Sequence, residues 1–266
     1  VAAGPSALLP RPVFAILSLW VAVSVGAAAL WNRDYWFPFS PLPPAARYFL
    51  TVGFFCLLLA ESAYQQRFRK PHAVVLNLPV VGDAQPTGPR VRQAIYVGSI
   101  TRARGLDTML AMAPLLAAAD IRLRLIGEAP DPSDADRIRA CAHVEWDGAL
   151  PNADAMREIE SSMVGLALLA DQPNYRHSMP TKILEYMAGG TPVVSTPLPL
   201  SQLVIGTDGV VLRDFDRSPQ EIADAVIRLC DDADTRERFA RVGFARVHDH
   251  YNWHHAQHDF IRALGL

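Results

Sequence analysis

Lysine is nearly missing from this chain. Only Lys70 and Lys182 occur in 266 residues, against 25 basic side chains in all. Arginine carries the rest and alanine is abundant, a bias typical of GC-rich coding, so a lysine at 182 is a mild pointer to a role there. Cysteine is also scarce. Cys56, Cys141 and Cys230 lie far apart, with no Cys-x-x-Cys pair. That excludes a zinc ribbon and a disulfide scaffold, and it fits reduced thiols in a cytoplasmic protein. An excess of one charge is missing too: the net charge of −2 leaves no basic footprint for nucleic acid. There is no internal repeat, and no Asp-x-Asp in a loop suited to a metal. The acidic run Asp231-Asp232-Ala233-Asp234 reads as an exposed turn between helices. His250, His254 and His258 fall at i, i+4 and i+8, one face if the tail is a single helix, and are expected to be solvated positions rather than ligands.

What is present is alternation. Apolar strands are expected at Ala94–Val97, Arg122–Ile126, Val144–Gly148, Leu166–Leu169 and Pro192–Ser195. Helices are expected at Thr108–Ala119, Ala153–Ser162, Lys182–Ala188, Pro219–Cys230 and Thr235–His248. Strands alternating with helices predict an α/β fold with a doubly wound parallel sheet and a ligand crevice at the carboxyl ends of the strands. Proline and glycine in 80–89 mark a linker. The expected organisation is therefore an apolar segment (1–79), the linker, and a Rossmann-like domain (90–266).

Two stretches concentrate chemistry. In 177–196, HSMPTKILEYMAGGTPVVST, residues Ser178, Pro180 and Thr181 suit a helix start, and Gly189-Gly190 suits its end. Glu185 then lies one turn into an otherwise apolar helix, beside a loop. In 94–106, AIYVGSITRARGL, a strand, a glycine turn, a basic loop and a helix start follow each other, an order that cradles phosphate in α/β folds.

These residues resemble the donor-binding half of retaining glycosyltransferases of the GT-B fold, the family 4 or group 1 proteins. PTKILEYMAGGTPVVST looks like their donor segment, with Glu185 at the second position of a Glu-x7-Glu motif and His177 where the first Glu would stand. The departure at His177 bears on the hexose contact, although relatives with Pro-Thr-Lys-x-x-Glu-Tyr exist. GSITRARG resembles Gly-Arg-x5-Lys-Gly: Gly98 and Gly105 match the glycines, Arg104 takes the lysine position and Ser99 the arginine position. The strand ending at Gly127, the strand at Val144–Gly148 and Tyr251-Asn252-Trp253 resemble later family motifs, the last being the Tyr-Ser-Trp that opens the final helix. The resemblance implies a glycosyltransferase that moves a hexose from a nucleotide-sugar donor to a glycan or lipid-linked acceptor with retention, needing no metal. It implies that Arg104, helped by Lys182, offsets the charge of the departing diphosphate. Glu185 would hold the ribose, and His177, Ser178, Pro180 and Thr181 would face the sugar and phosphates. Two alternatives stay open: a non-catalytic nucleotide-sugar-binding module or inactive fragment, and, more weakly, a sugar-nucleotide epimerase.

The N-terminal third reads differently. Pro12–Trp31 is an uncharged run of about twenty residues, long enough to span a bilayer, and Tyr48–Ala60 is a shorter one. Aromatics and prolines lie between them, and basic residues flank the pair. A hairpin at the cytoplasmic face of a membrane is one reading. The other, favoured here, is a truncated acceptor domain, since the stretch before Asn77 is too short for a whole one. In the resembling family the last helix packs on that first domain. Trp253, Phe260, Ile261 and Leu264 are accordingly expected to form an apolar stripe that packs against 45–68 or stays partly exposed.

Overall fold

A computed structural model of the chain describes residues 77–263. The stretch 1–76, with Cys56 and both long apolar runs, lies outside the described residues. In chain order the elements are β1 (Val91–Val97), a 3-10 turn (Arg102–Arg104), α1 (Leu106–Ala118), β2 (Arg122–Ile126), α2 (Pro132–Ala140), β3 (Val144–Trp146), α3 (Asn152–Ser161) and β4 (Ser162–Ala167). There follow α4 (Pro173–Arg176), α5 (Thr181–Ala188), β5 (Val193–Ser195), α6 (Pro199–Ile205), β6 (Val210–Val211), α7 (Pro219–Asp231), α8 (Ala233–His250) and α9 (Trp253–Ala263). The six strands form one sheet in the order β3-β2-β1-β4-β5-β6. Every pairing is parallel. This is the expected doubly wound sheet, with its switch point between β1 and β4, where such folds open a crevice.

Strand alternation splits the core into two layers. Ala94 and Tyr96 of β1, Leu123 and Leu125 of β2 and Val164 and Leu166 of β4 pack with α1 and α7. Ile95, Ile126, Ala167 and Val193 pack with α5 and with Phe244 and Val247 of α8. β1, β4 and β5 are thus largely apolar on both faces and read as continuous runs, whereas β2 and β3 alternate, with Arg122, Arg124 and Glu145 between their apolar positions.

Several expectations are corrected. The fourth strand lies at Ser162–Ala167 rather than Leu166–Leu169: Ser162 and Gly165 disguise its first half, and the last leucines leave the sheet. α5 starts at Thr181, and Ser178 does not cap it; the Ser178 hydroxyl donates to the Asn174 carbonyl instead. The short helices α2, α4 and α6 carry proline at their first turn, and none was expected. The histidines of the tail do not share one helix. α8 ends at His250, Tyr251 and Asn252 intervene, and His254 and His258 lie exposed on α9. Among the described residues no group of side chains is arranged to hold a metal. The Asp231–Asp234 run is indeed a turn, in which the Asp232 carboxylate accepts from the Thr235 N–H and caps α8.

The start of the described chain docks on the start of α9. Asn252, only 3% exposed, accepts from the Val81 N–H (3.2 Å) and the His254 N–H (3.1 Å), and its amide donates to the Val81 carbonyl (3.1 Å). The Trp253 N–H donates to the Pro79 carbonyl. Asn252 stands where the resembling Tyr-Ser-Trp pattern has serine, and both residue types cap helices. Replacing Asn252 with alanine would leave both backbone groups of buried Val81 without partners. The expected loss is about 2–4 kcal/mol of unfolding free energy, measured by denaturant titration. A loss within error of zero would show that this clasp holds nothing. Beyond it, Phe260 and Ile261 of α9 are 39% and 44% exposed, and Trp253 lies against Phe260 with ring centroids 6.0 Å apart.

Candidate functional site

The carboxyl ends of β1, β2 and β4 build the site. β1 ends at Val97 and turns at Gly98, whose φ of +127° suits a residue without a Cβ. Gly98 N–H donates to the Ile126 carbonyl at 2.8 Å, so the turn after β1 lies flat on the turn after β2. Gly127 makes that contact possible. Its φ is +136°, and a Cβ there would sit 2.1 Å from the Gly98 carbonyl oxygen. Gly105 does the same for the loop after β4, since a Cβ on it would meet Leu168 at 2.6 Å. Gly105 also starts α1 without a side-chain cap.

Between β1 and β4 the ladder stops at Ile95 opposite Gly165. Beyond that point a buried phenol replaces it. The Tyr186 hydroxyl accepts from the Val97 N–H (2.9 Å) and donates to the Leu166 carbonyl (3.2 Å). The Tyr186 ring lies over Gly165, where a Cβ would come within 2.6 Å. Tyr186 therefore wedges the strands apart while satisfying both backbone groups, and it fixes α5, with Lys182 and Glu185, at the mouth of the opening.

Lys182 reaches back from α5 to the β1 turn. Its ammonium donates to the Tyr96 hydroxyl at 3.2 Å and stands 4.4 Å from the centre of the Tyr96 ring. A Cβ on Gly98 would lie 2.2 Å from Nζ, so this glycine also makes room for the charge. Arg104 comes from the 3-10 turn and faces the phenols of Tyr175 and Tyr96. Burial pushes Lys182 down to about 7; Arg104 adds to this and Glu185 opposes it. For Arg104, burial disfavours the charge, but the two phenols outweigh it and the pKa is raised. Burial raises Glu185 above the usual carboxylate range, partly offset by Lys182. Among the described residues neither cation is ion-paired with a carboxylate. Arg102, the other arginine of the turn, is spent on buried Asp134 (3.0 Å).

Of the residues singled out in the sequence, Gly98, Ser99, Arg104, Gly105, Gly127, Lys182 and Glu185 thus gather at one end of the sheet. Ser99 contributes its carbonyl, which accepts from Tyr96 at 2.7 Å. Pro180 is buried at the α5 start and Thr181 is half-buried, whereas His177 and Ser178 are exposed on the preceding loop. Sequence reading missed Tyr96, Tyr175, Tyr186 and Gly165. Only Gly165 carried a signal, as a lone glycine inside an apolar strand, a mark of close approach.

The model of the family described as glycosyl transferases group 1 matches residues 91–232, the span that holds this whole cluster. The chain belongs to the glycosyl transferases group 1 family. It is 30% identical over 150 residues to the alpha-D-kanosaminyltransferase of Streptomyces kanamyceticus, covering 55% of this chain and 38% of that enzyme. Its fold is shared with solved glycosyltransferase structures at low identity. A variant of S. aureus TarM in complex with fondaparinux, alpha-GlcNAc-glycerol and UDP superposes with a TM-score of 0.59 at 12% identity, covering 75% of this chain and 41% of that one. Anabaena Alr3699/HepE in complex with UDP and glucose gives 0.53 at 14% identity, covering 65% and 48%. The group 1 chain thus spans less than half the length of each of these relatives. Among the described residues of this family member, no helix is long and apolar enough to cross a membrane. Cys141 and Cys230 are free thiols; burial pushes Cys230 up to about 11 and leaves it a poor nucleophile.

Proposed function

We propose that this domain holds the nucleotide-sugar donor of a hexosyltransferase acting with retention on a glycan or lipid-linked acceptor at the cytoplasmic side of the cell. The observation that carries the reading is the meeting of Arg104 and Lys182 at the Gly98 turn, where among the described residues neither forms an ion pair with a carboxylate and Glu185 only partly offsets the charge of Lys182. Two adjacent half-buried cations repel, and a diphosphate is their natural complement. In catalysis they would meet the charge that grows on the diphosphate as the bond to the sugar breaks, so that neither a metal nor a proton need supply that stabilisation. Glu185, one turn into α5 and half-buried, would accept from ribose hydroxyls. The loop 177–181 would lie along the sugar and phosphates, with His177 where the resembling motif has a carboxylate. UDP is the nucleotide bound in the TarM and HepE complexes, which makes it the first probe to try.

The Glu185→Ala variant tests the reading. Loss of a buried acceptor of hydroxyl bonds is expected to weaken UDP-sugar binding about 10- to 100-fold in calorimetry, with inorganic pyrophosphate affected much less. Equal affinity of the variant and the parent for the nucleotide sugar would count against the assignment. A non-catalytic donor-binding module remains the second reading. Binding without turnover, with acceptors supplied to the purified chain, would select it.

A further inference from the structure

We propose that Tyr96 is a positioning residue that clamps Lys182 beside Arg104 and so relocates to α5 the second diphosphate cation that the β1 turn has lost at Ser99. This rests on the donor-site reading and deepens it. The turn after β1 offers serine where the family pattern places a guanidinium. The structure brings another cation to the same turn from a different element. Lys182 lies over Gly98, so close that even a methyl group on that glycine would collide with Nζ. What aims the side chain there is Tyr96: the hydroxyl accepts from Nζ at 3.2 Å and the ring centre lies 4.4 Å from the charge.

The same phenol faces Arg104 and donates to the Ser99 carbonyl at 2.7 Å, which fixes its own orientation. It is 1% exposed, so neither ring nor hydroxyl can turn away. A neutral phenol is suited to this task. A carboxylate in its place would hold both cations equally well but would neutralise them and compete with the diphosphate. Among the described residues the groups that bear on Lys182 are Tyr96 from β1, Arg104 from the 3-10 turn and Glu185 from its own helix. Tyr175 of α4 acts on Arg104, and buried Tyr186 bears on both Tyr96 and Glu185. Tyr96 therefore does not touch the donor. It sets whether the ammonium is present and where it points.

The test is calorimetric titration of UDP and of inorganic pyrophosphate between about pH 6 and 9, on the whole chain and on Tyr96→Phe. Compared at each pH with Lys182→Met, whose profile carries only the probes' own phosphate ionisation, the wild-type advantage should be constant at low pH and fall as Lys182 loses its proton above about 7, by up to tenfold per pH unit. In Tyr96→Phe the ring remains and the acceptor is gone, so the bend in the profile should move to lower pH by about one unit. With Arg104→Gln already present, the same change should cost much less, because the repulsion it restrains is gone. An affinity lowered by the same factor at every pH, or costs that simply add, would overturn the proposal while leaving the donor site intact. If wild type binds neither probe, the donor reading fails and the proposal with it. Should Tyr96→Phe fail to fold, the wild type still decides. With only two lysines, 13C-labelling at Cε gives two signals, and Lys182→Met identifies one. That signal should carry an upfield ring shift, titrate near 7, and move to higher pH with UDP. An unshifted signal titrating like free lysine would contradict the clamp.

Discussion

Replacing Lys182 with methionine is expected to raise the stability of the ligand-free protein near neutral pH while reducing its affinity for a nucleoside diphosphate about 10- to 100-fold. Lys182 is held down to about 7 from its ordinary 10.5, chiefly by burial. The unfolded chain keeps the proton up to the higher value, the folded protein only to the lower. Between them the unfolded state binds more protons, so the wild type gains stability as pH rises through that window. Below it the ammonium is charged in both states and its burial cost is carried in full. That cost is at most about 5 kcal/mol, and solvent access to the half-buried side chain reduces it to about 2–3. Methionine fills a similar volume without the charge, so the midpoint at about pH 6.5 should rise by roughly 5–10 °C for a domain of this size. The advantage should vanish by about pH 10.5. A thermal scan at several pH values checks this. A variant less stable than wild type at every pH would mean that Lys182 serves the fold rather than an absent anion.

Gly127→Ala should have the opposite character, breaking the fold before the site. Its Cβ would stand 2.1 Å from a backbone oxygen of Gly98, at a φ of +136°. Neither neighbour is a flexible chain end, so β1 and β2 must part at their carboxyl ends. The expected cost is about 3–5 kcal/mol, a large share of the 5–15 typical of a domain. Gly98→Ala makes the instructive contrast. There the obstacle is the tip of Lys182, 2.2 Å away and able to move. Stability should fall by about half as much, and anion affinity should fall further than stability accounts for. Denaturant titration of both variants, with UDP binding measured on Gly98→Ala, separates the two glycines. Equal losses in both would show that the site does not depend on the space above Gly98.

The frame of this domain was legible because its strands are short, apolar and bounded by glycine. Leu123 to Gly127 and Pro192 to Ser195 could hardly be anything else. β4 was misplaced because its signal runs through Gly165 and Ser162, residues chosen for the Tyr186 ring above and the Gln93 amide beside them. α4 and α6 are too short for periodicity to show. β6 is held to β5 by only two paired positions.

The gathering of the candidate residues was legible where it depends on residue type at fixed spacing. Gly98, Arg104, Gly105, Lys182 and Glu185 were all named from the sequence, and the fold gathers them. Their relation was not legible. That Lys182 and Arg104 meet on Tyr96 depends on a distance of 86 residues between lysine and phenol, which no local pattern encodes. Tyr186 was hidden for another reason: a tyrosine in an apolar helix reads as core, and only the opening between β1 and β4 gives its hydroxyl a purpose. The spacing of the tail histidines suits one helix, whereas Asn252 starts a new one; His254 and His258 are nonetheless solvated, as expected.

The central claim is that the cations at the carboxyl end of this sheet are there for a diphosphate. Calorimetric titration of UDP, GDP, ADP and dTDP into the chain and into its Arg104→Gln variant tests it most directly, with the matching monophosphates as controls. At least one diphosphate should bind the wild type, better than its monophosphate, and Arg104→Gln should weaken it by about tenfold or more while changing the monophosphate less. No binding of any diphosphate by the folded protein, or binding that Arg104→Gln leaves unchanged, would contradict the account.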